Sequence, residues 1–152
     1  TMKKPEQAVQ NFQAGCNCAQ AVLTAYAEDF NLDKNLAKAL ATGFGAGIGR
    51  SQGVCGAVSG GVMVLGLKYG SRENDGREKI NAAYDIVGNY LREFKSLKGS
   101  IACLELLSGC NLSTDEGKRY FKEHNLREAC YGYVKCSCDI LERIFAQEPA
   151  SS

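Results

Sequence analysis

The chain has 152 residues, a length that fits one domain with a buried core. Its composition is 45% hydrophobic, and 18 basic residues nearly balance 17 acidic ones. No basic patch is dense enough to suggest a nucleic-acid partner, and no acidic tail suggests a cationic one. The longest apolar run, residues 62–67, is far shorter than a membrane-spanning helix, so no membrane span is expected.

The N-terminal part of the chain predicts three helices. Pro5 is tolerated in the first turn of a short helix that ends near Gly15. Asn17 is the expected N-cap of a second, amphipathic helix, which places Cys18 in its first turn. Asp33 is the expected cap of a third helix. The apolar side chains of this third helix recur every four residues, at Leu36, Leu40 and Phe44.

A glycine-rich stretch at residues 43–61 is the most unusual part of the chain. Its glycines surround Cys55, and their density indicates unusual backbone angles or the close approach of another group. Apolar residues at helical spacing follow, so we expect this loop to lead into a central helix that runs to about Gly70. A cap at Ser51 or Gly53 would put Cys55 in the first turn, where unpaired N–H groups and the helix dipole stabilise a thiolate.

A long helix follows, opened by Asn74 or Asp75 and stopped by Gly99. It has the strongest helical periodicity of the chain, with apolar residues at Ile80, Tyr84, Val87, Leu91, Phe94 and Leu97. An aromatic stripe at Tyr84, Tyr90 and Phe94 is more typical of a core than of a cofactor site.

Three further helices complete the prediction. Ser100 is expected to cap a short helix that contains Cys103, and Ser113 with Glu116 has the pattern of a capping box. The last helix begins at about Leu126. No segment alternates with period two, so the chain predicts an all-α, single-domain bundle (residues 1–152) of seven or eight helices, with residues 1–3 and 147–152 frayed.

Eight cysteines are the main chemical feature: Cys16, Cys18, Cys55, Cys103, Cys110, Cys130, Cys136 and Cys138. No hydrophobic segment follows the N-terminal lysines, so we expect no signal peptide and a cytoplasmic location. In that compartment cysteines more often bind metals or undergo redox chemistry than form structural disulfides. We assign Cys110 and Cys136 either to packing, because free cysteine is commonly buried, or to chance positions on the surface.

Spacing alone leaves the chemistry open. Four thiolates suit zinc or an iron–sulfur cluster, but the cysteines are too far apart in sequence for a ferredoxin or zinc-finger pattern. Thiol–disulfide exchange needs two neighbouring cysteines, one with a lowered pKa, and Cys18 and Cys55 near helix N-termini meet the second requirement. The Gly56-x-x-x-Gly60 spacing favours close approach of two helices. His124 is expected at a helix end rather than as a ligand.

Residues 55–60 read Cys-Gly-Ala-Val-Ser-Gly and match a CGAxxG signature, with three further cysteines widely spaced around it. On these motifs the chain resembles the C_GCAxxG_C_C family of small redox-active proteins. The resemblance covers nearly the whole chain, through residues 17–22, 55–60, 103–107 and 130–134. It places the family's four characteristic cysteines at Cys18, Cys55, Cys103 and Cys130.

The resemblance implies a cytosolic bacterial or archaeal helical protein. It also implies a relation to a cytochrome class, some members of which hold an iron–sulfur centre. Haem is not expected here, because the chain has no attachment motif and His124 is its single histidine. The chain departs from the family pattern by its additional cysteines, Cys16, Cys110, Cys136 and Cys138.

Three hypotheses follow. In the first, the four family cysteines bind an iron–sulfur cluster or another thiophilic metal, and the protein exchanges electrons with a redox partner protein. The backbone that would contact such a cofactor belongs to Gly53, Gly56, Ala57 and Gly60. In the second, the protein is a thiol–disulfide oxidoreductase that uses Cys18 and Cys55. In the third, glycines and cysteines pack a helical homo-oligomer that performs no chemistry.

Overall fold

The computed structural model describes residues 2–147, and these residues form eight right-handed α-helices and no β-strand. The helices are α1 (Lys4–Gln13), α2 (Cys18–Tyr26), α3 (Lys34–Ala41), α4 (Gly56–Tyr69), α5 (Arg77–Lys98), α6 (Cys103–Leu106), α7 (Asp115–Glu123) and α8 (Arg127–Ala146). The predicted all-α fold is therefore confirmed. Residues 1 and 148–152, where frayed ends were expected, lie outside the described residues. None of the described helices has the length and apolar content that a membrane span requires.

The predicted starts of α2 and α3 are confirmed. The Asn17 side chain accepts a hydrogen bond from the Gln20 N–H, and the Gln20 side chain accepts one from the Asn17 N–H, each at 2.9 Å. This reciprocal capping box satisfies two otherwise unpaired amides and fixes where α2 begins. Asp33 caps α3 by accepting from the Leu36 N–H at 2.9 Å.

Three predicted caps are wrong by one or two residues. Gly76, rather than Asn74 or Asp75, precedes α5, and Ala102, rather than Ser100, precedes α6. Thr114 caps α7 in place of Ser113, because the Ser113 amide and hydroxyl are both bonded to the Asn111 side chain.

Helices α2 and α4 cross at the centre of the core, and both also pack against α8. Every residue of α2 after Cys18 is buried. The crossing is close because Gly60 faces α2: a Cβ there would lie 2.9 Å from the Ala19 carbonyl oxygen and 2.9 Å from the Val22 Cβ. The helix approach predicted from the glycine spacing is present at this position.

Apolar periodicity misidentifies the buried face of α3. Leu36 and Leu40 are 52% and 56% exposed, whereas Ala37 and Ala41 are fully buried. The small alanines let α3 approach α2, and the larger leucines remain on the outer side. In α5, Phe94 is buried as expected for a core residue, and so is Tyr90, but Tyr84 is 66% exposed.

Candidate functional site

All four cysteines singled out by the family resemblance line one cavity, which we call the thiol cavity. Its volume is about 140 Å³. Each cysteine stands at or near the beginning of a different helix: Cys18 opens α2, Cys55 precedes α4, Cys103 opens α6, and Cys130 lies in the first turn of α8. Side chains from distant parts of the sequence are thus brought to one place. The long sequence spacing of the four cysteines is compatible with a single site.

The glycine-rich loop reaches the thiol cavity through a left-handed turn. Ala46, Gly47, Ile48, Gly49 and Arg50 all have positive φ values. A positive φ is uncommon for alanine and arginine and is a true outlier for β-branched isoleucine. Gly47 is required for steric reasons as well, because a Cβ there would lie 2.6 Å from the Cα of residue 52. Ala46 itself lines the thiol cavity.

The end of this loop pairs with the segment before α6. The Cys55 N–H donates to the Ile101 carbonyl, and the Cys103 N–H donates to the Gly53 carbonyl, each at 2.7 Å. These bonds flank an isolated antiparallel bridge between Val54 and Ala102. Backbone pairing therefore fixes Cys55 and Cys103 beside each other, although 47 residues of helix and loop separate them.

Gln52 is a buried polar residue at this junction that the sequence reasoning missed. Its amide nitrogen donates to the Cys110 carbonyl at 2.8 Å, and its amide oxygen accepts from the Leu112 N–H at 2.7 Å. Its side chain also lies near Cys103 and acts to lower the pKa of that thiol. Gln52 therefore ties the loop to the segment after α6. A lone glutamine in a loop carries no sequence signal for such a role.

Gly56 brings the beginnings of α2 and α4 together. A Cβ at residue 56 would lie 3.0 Å from the Phe44 carbonyl oxygen and 3.1 Å from the Cys18 Cβ. The predicted cap for α4 is wrong, because Cys55 itself is the N-cap and Ser51 and Gly53 lie upstream in the loop. Cys55 thus stands just before the first turn rather than inside it.

Cys18 and Cys130 shift each other's pKa. A side-chain hydrogen bond with Cys130 raises the pKa of Cys18 well above its ordinary value, and burial together with the other three cysteines raises it further. The same bond lowers the pKa of Cys130, burial opposes this, and the positive charge of Arg127 lowers it more. The pair therefore consists of a protonated Cys18 and a Cys130 that favours the thiolate.

The lowered pKa values predicted for Cys18 and Cys55 are wrong. Burial raises the pKa of Cys55 to about 12, although the nearby backbone N–H groups of Ala57 and Val58 act to lower it. The helix N-terminus thus acts on the sulfur as expected, but the cost of desolvating a charge in a closed site is larger. Burial likewise raises the pKa of Cys103 to about 11, against the lowering effect of the Gln52 side chain.

Arg127 is the second residue that the sequence reasoning missed. Its guanidinium lies 4.1 Å from the centre of the Phe12 ring and donates to the Phe12 carbonyl at 2.9 Å. It also lines the thiol cavity. These contacts fix a positive charge beside Cys130. The signal available in the sequence was an arginine in the first turn of the predicted last helix, three residues before a cysteine.

The four additional cysteines do not line the thiol cavity. Cys16 is half-buried just before α2, and Cys136 and Cys138 are buried on other faces of α8. Cys110 is buried in a small cluster with Cys103, next to Cys130, and its thiol donates to the Gly117 carbonyl at 3.1 Å. Cys110 and Cys136 are both buried, which agrees with the packing alternative and not with a chance surface position. All eight cysteines are free thiols.

The four residues expected to contact a cofactor take part in backbone pairing, helix packing or the cavity wall in this fold. Gly53 pairs with Cys103, Gly56 lines the thiol cavity, and Gly60 faces α2. The Ala57 carbonyl accepts a hydrogen bond from the buried Ser137 hydroxyl at 2.8 Å. Their proposed contact with a cofactor stays a prediction. His124 is exposed and follows the last residue of α7, at the helix end where it was expected.

The thiol cavity contains the ligand type of a thiophilic metal site, but its side chains are not arranged to bind a metal. Within residues 2–147, no group of three or more histidine, cysteine, aspartate or glutamate side chains is arranged to hold a metal ion. Ligation by all four cysteines would require their side chains to move closer together.

Comparison with known proteins gives one match. The model of the family described as "Putative redox-active protein (C_GCAxxG_C_C)" matches residues 16–144, a range that contains every residue of the thiol cavity discussed above except Phe12. Neither a curated protein nor a solved structure matches the chain.

Proposed function

The chain belongs to the C_GCAxxG_C_C family of redox-active proteins, and on that basis we propose that Cys18 and Cys130 form its reacting dithiol. The observation that carries this proposal is that both thiols line one cavity together with Cys55, Cys103 and the cationic Arg127, where Cys18 and Cys130 shift each other's pKa. As whole residues Cys18 and Cys130 are half-buried, whereas Cys55 and Cys103 are buried.

The proposed chemistry is a two-electron exchange. Oxidation of the Cys130 thiolate and the protonated Cys18 joins the two sulfur atoms in a disulfide and releases two electrons and one proton, and reduction reverses this. Cys130 is the attacking thiolate, because Arg127 stands beside it and Cys18 donates a hydrogen bond to it. Cys18 is the resolving thiol. The partner that returns the electrons is a redox protein of the cytoplasm, where thiols are kept reduced.

The experiment that tests this proposal counts thiols during redox equilibration. Protein equilibrated in mixtures of reduced and oxidised dithiothreitol is quenched with an alkylating agent, and free thiols are counted. We expect the wild-type count to fall reversibly from eight to six. Cys18→Ser and Cys130→Ser should abolish this step.

Cys16→Ser is the matched control, because Cys16 is similarly half-buried, lies two residues from Cys18 and does not line the thiol cavity. It should retain the reversible loss of two thiols. A wild-type count that stays at eight, or a Cys16→Ser variant that behaves like Cys18→Ser, would overturn the proposal.

A second candidate function is binding of an iron–sulfur cluster or another thiophilic metal by Cys18, Cys55, Cys103 and Cys130. It is favoured by the location of four soft donors around one cavity, the ligand set that such centres use. When bound, the group would supply one-electron transfer. The cationic Arg127 would offset part of the negative charge of four thiolates.

This second candidate is tested on protein purified without oxygen. Iron, acid-labile sulfide and visible absorption are measured for the wild type, for Cys55→Ala and for Cys138→Ala, whose buried cysteine does not line the thiol cavity. A bound iron–sulfur cluster predicts a visible chromophore that only Cys55→Ala removes. Metal-free wild-type protein, or absorption that survives in Cys55→Ala, would contradict it.

A further inference from the structure

The rim of the thiol cavity carries a positive charge that the described residues leave without an ion-pair partner. The Arg127 guanidinium is held by the Phe12 carbonyl, the Phe12 ring and, at 5.9 Å, the Tyr131 ring. None of these contacts is with a carboxylate, and within residues 2–147 no salt bridge involves Arg127. The guanidinium is therefore positioned but remains able to bind an anion.

The remainder of the cavity wall is mostly apolar. Besides the four sulfur atoms it includes Phe12, Leu106, Leu107, Leu112 and Phe121. A cavity of about 140 Å³ is comparable to apolar protein cavities that bind benzene. One short arm of a small organic molecule therefore fits inside it, with a charged end at the rim.

We infer that the Arg127 guanidinium binds a carboxylate of the substrate, so that the Cys18–Cys130 dithiol reduces small organic disulfides with negatively charged arms. This inference rests on the dithiol function proposed above and adds the substrate class. The arrangement brings three features together: a reacting thiol pair, an apolar space for one arm, and a cation at the entrance.

The reaction balances as two exchange steps. The Cys130 thiolate attacks one sulfur of the substrate, which forms a Cys130–substrate disulfide and releases the other half as a thiolate. Cys18 then loses its proton to that leaving group or to water, and its sulfur attacks the Cys130 sulfur. The products are the Cys18–Cys130 disulfide and a second substrate thiolate, so two electrons pass from the protein to the substrate.

The test uses three small disulfides that differ mainly in charge: dithiodipropionate, bis(hydroxyethyl) disulfide and cystamine. The first is a dianion, the second is neutral and the third is a dication. The rate at which each disulfide oxidises the reduced protein is divided by the rate at which it oxidises mercaptoethanol. This division corrects for differences in the intrinsic reactivity of the three disulfides. We expect the normalised rate of the dianion to exceed that of the dication about tenfold or more at low salt, and the ratio to shrink as salt is added.

Arg127→Leu should bring this ratio close to one, and Arg127→Lys should retain part of it. Arg77→Leu is the matched control, because Arg77 is exposed, is also the first residue of a long helix and does not line the thiol cavity. It removes the same net charge and should keep the wild-type ratio.

The outcomes separate the two proposals. If none of the three disulfides oxidises Cys18 and Cys130 in the wild type, the proposed dithiol function fails. If all three oxidise the pair at equal normalised rates, or if Arg77→Leu changes the ratio as much as Arg127→Leu, the dithiol function stands and the inference about its substrate is overturned. Arg127→Leu slowing all three probes equally, with an unchanged ratio, would also overturn it.

Discussion

Replacing Gly60 by alanine tests the close crossing of α2 and α4 that places Cys18 next to Cys55. The added Cβ would lie 2.9 Å from the Ala19 carbonyl oxygen and 2.9 Å from the Val22 Cβ. Neither atom can move without moving the backbone of α2, which is buried along nearly its whole length. Overpacking of this kind costs about 1–3 kcal/mol. Because alanine has a better helix propensity by about 1 kcal/mol, the free energy of unfolding should fall by roughly 0–2 kcal/mol.

Gly66→Ala in the same helix is the matched control. Gly66 is exposed and a Cβ there would meet no heavy atom within 4 Å, so this variant should gain about 1 kcal/mol. The propensity gain is common to both variants, and the difference between them therefore isolates the overpacking. In denaturant, the free energies of unfolding of the two variants should differ by about 1–3 kcal/mol. In thermal unfolding, each kcal/mol corresponds to a difference of about 2–4 °C in Tm. Equal stabilisation of both variants would refute the close crossing at Gly60.

Three further predictions concern the buried groups around the thiol cavity. Gln52→Leu leaves the buried Cys110 carbonyl and the partly buried Leu112 N–H without their partner, so denaturant unfolding should show a loss of about 1–3 kcal/mol for the carbonyl and less for the N–H. Unchanged stability would show that these bonds are not needed. Because the pKa of Cys130 is lowered, iodoacetamide near neutral pH should modify Cys130 first, as read by peptide mass, and faster labelling of Cys55 would contradict this. Burial raises the pKa of Cys55 to about 12 and of Cys103 to about 11, so the folded protein keeps protons that unfolded thiols release above their ordinary value of 9.0. Stability should therefore fall as the pH rises above about 9, by about 1.4 kcal/mol per pH unit for each thiol, and a flat profile between about pH 9 and 11 would contradict the assignment.

The local features of this fold were readable from the sequence because their causes are local. Asn17 and Gln20 lie three residues apart, and the capping box they form needs no other part of the chain. Gly99 ends α5 with a positive φ, as a glycine after a long periodic helix predicts. The CGAxxG motif and three distant cysteines were enough to name the four cysteines that line the thiol cavity.

Which of those cysteines has a lowered pKa could not be predicted in the same way, because the pKa of each thiol depends on long-range packing. Both Cys18 and Cys55 adjoin helix N-termini, and the sequence favoured thiolates at both. Burial determines the outcome at Cys55, and the effect of a cysteine 112 positions away determines it at Cys18. Arg127 acquires its role only when α8 lies against Phe12 at the other end of the chain.

The glycine-rich loop shows a second limit. Its glycines correctly indicated unusual backbone angles, but Ala46, Ile48 and Arg50 adopt positive φ values as well. Nothing in these residue types indicates a left-handed turn. The surrounding hydrogen bonds, including Gly53 N–H to the Gly47 carbonyl at 2.9 Å, determine it.

The most direct test of the dithiol centre is to identify the disulfide that mild oxidation produces. In the Cys16→Ser background, trypsin releases residues 128–135 with Cys130 as their one cysteine, and Cys18 is then the one cysteine of the peptide 4–34. The dithiol account predicts that these two peptides are joined after oxidation, are separated again by reduction, and contain most of the oxidised sulfur. The dithiol account would be contradicted if Cys130 in the peptide 128–135 were still alkylated after oxidation. It would also be contradicted if this peptide were joined to the one that contains Cys103 and Cys110.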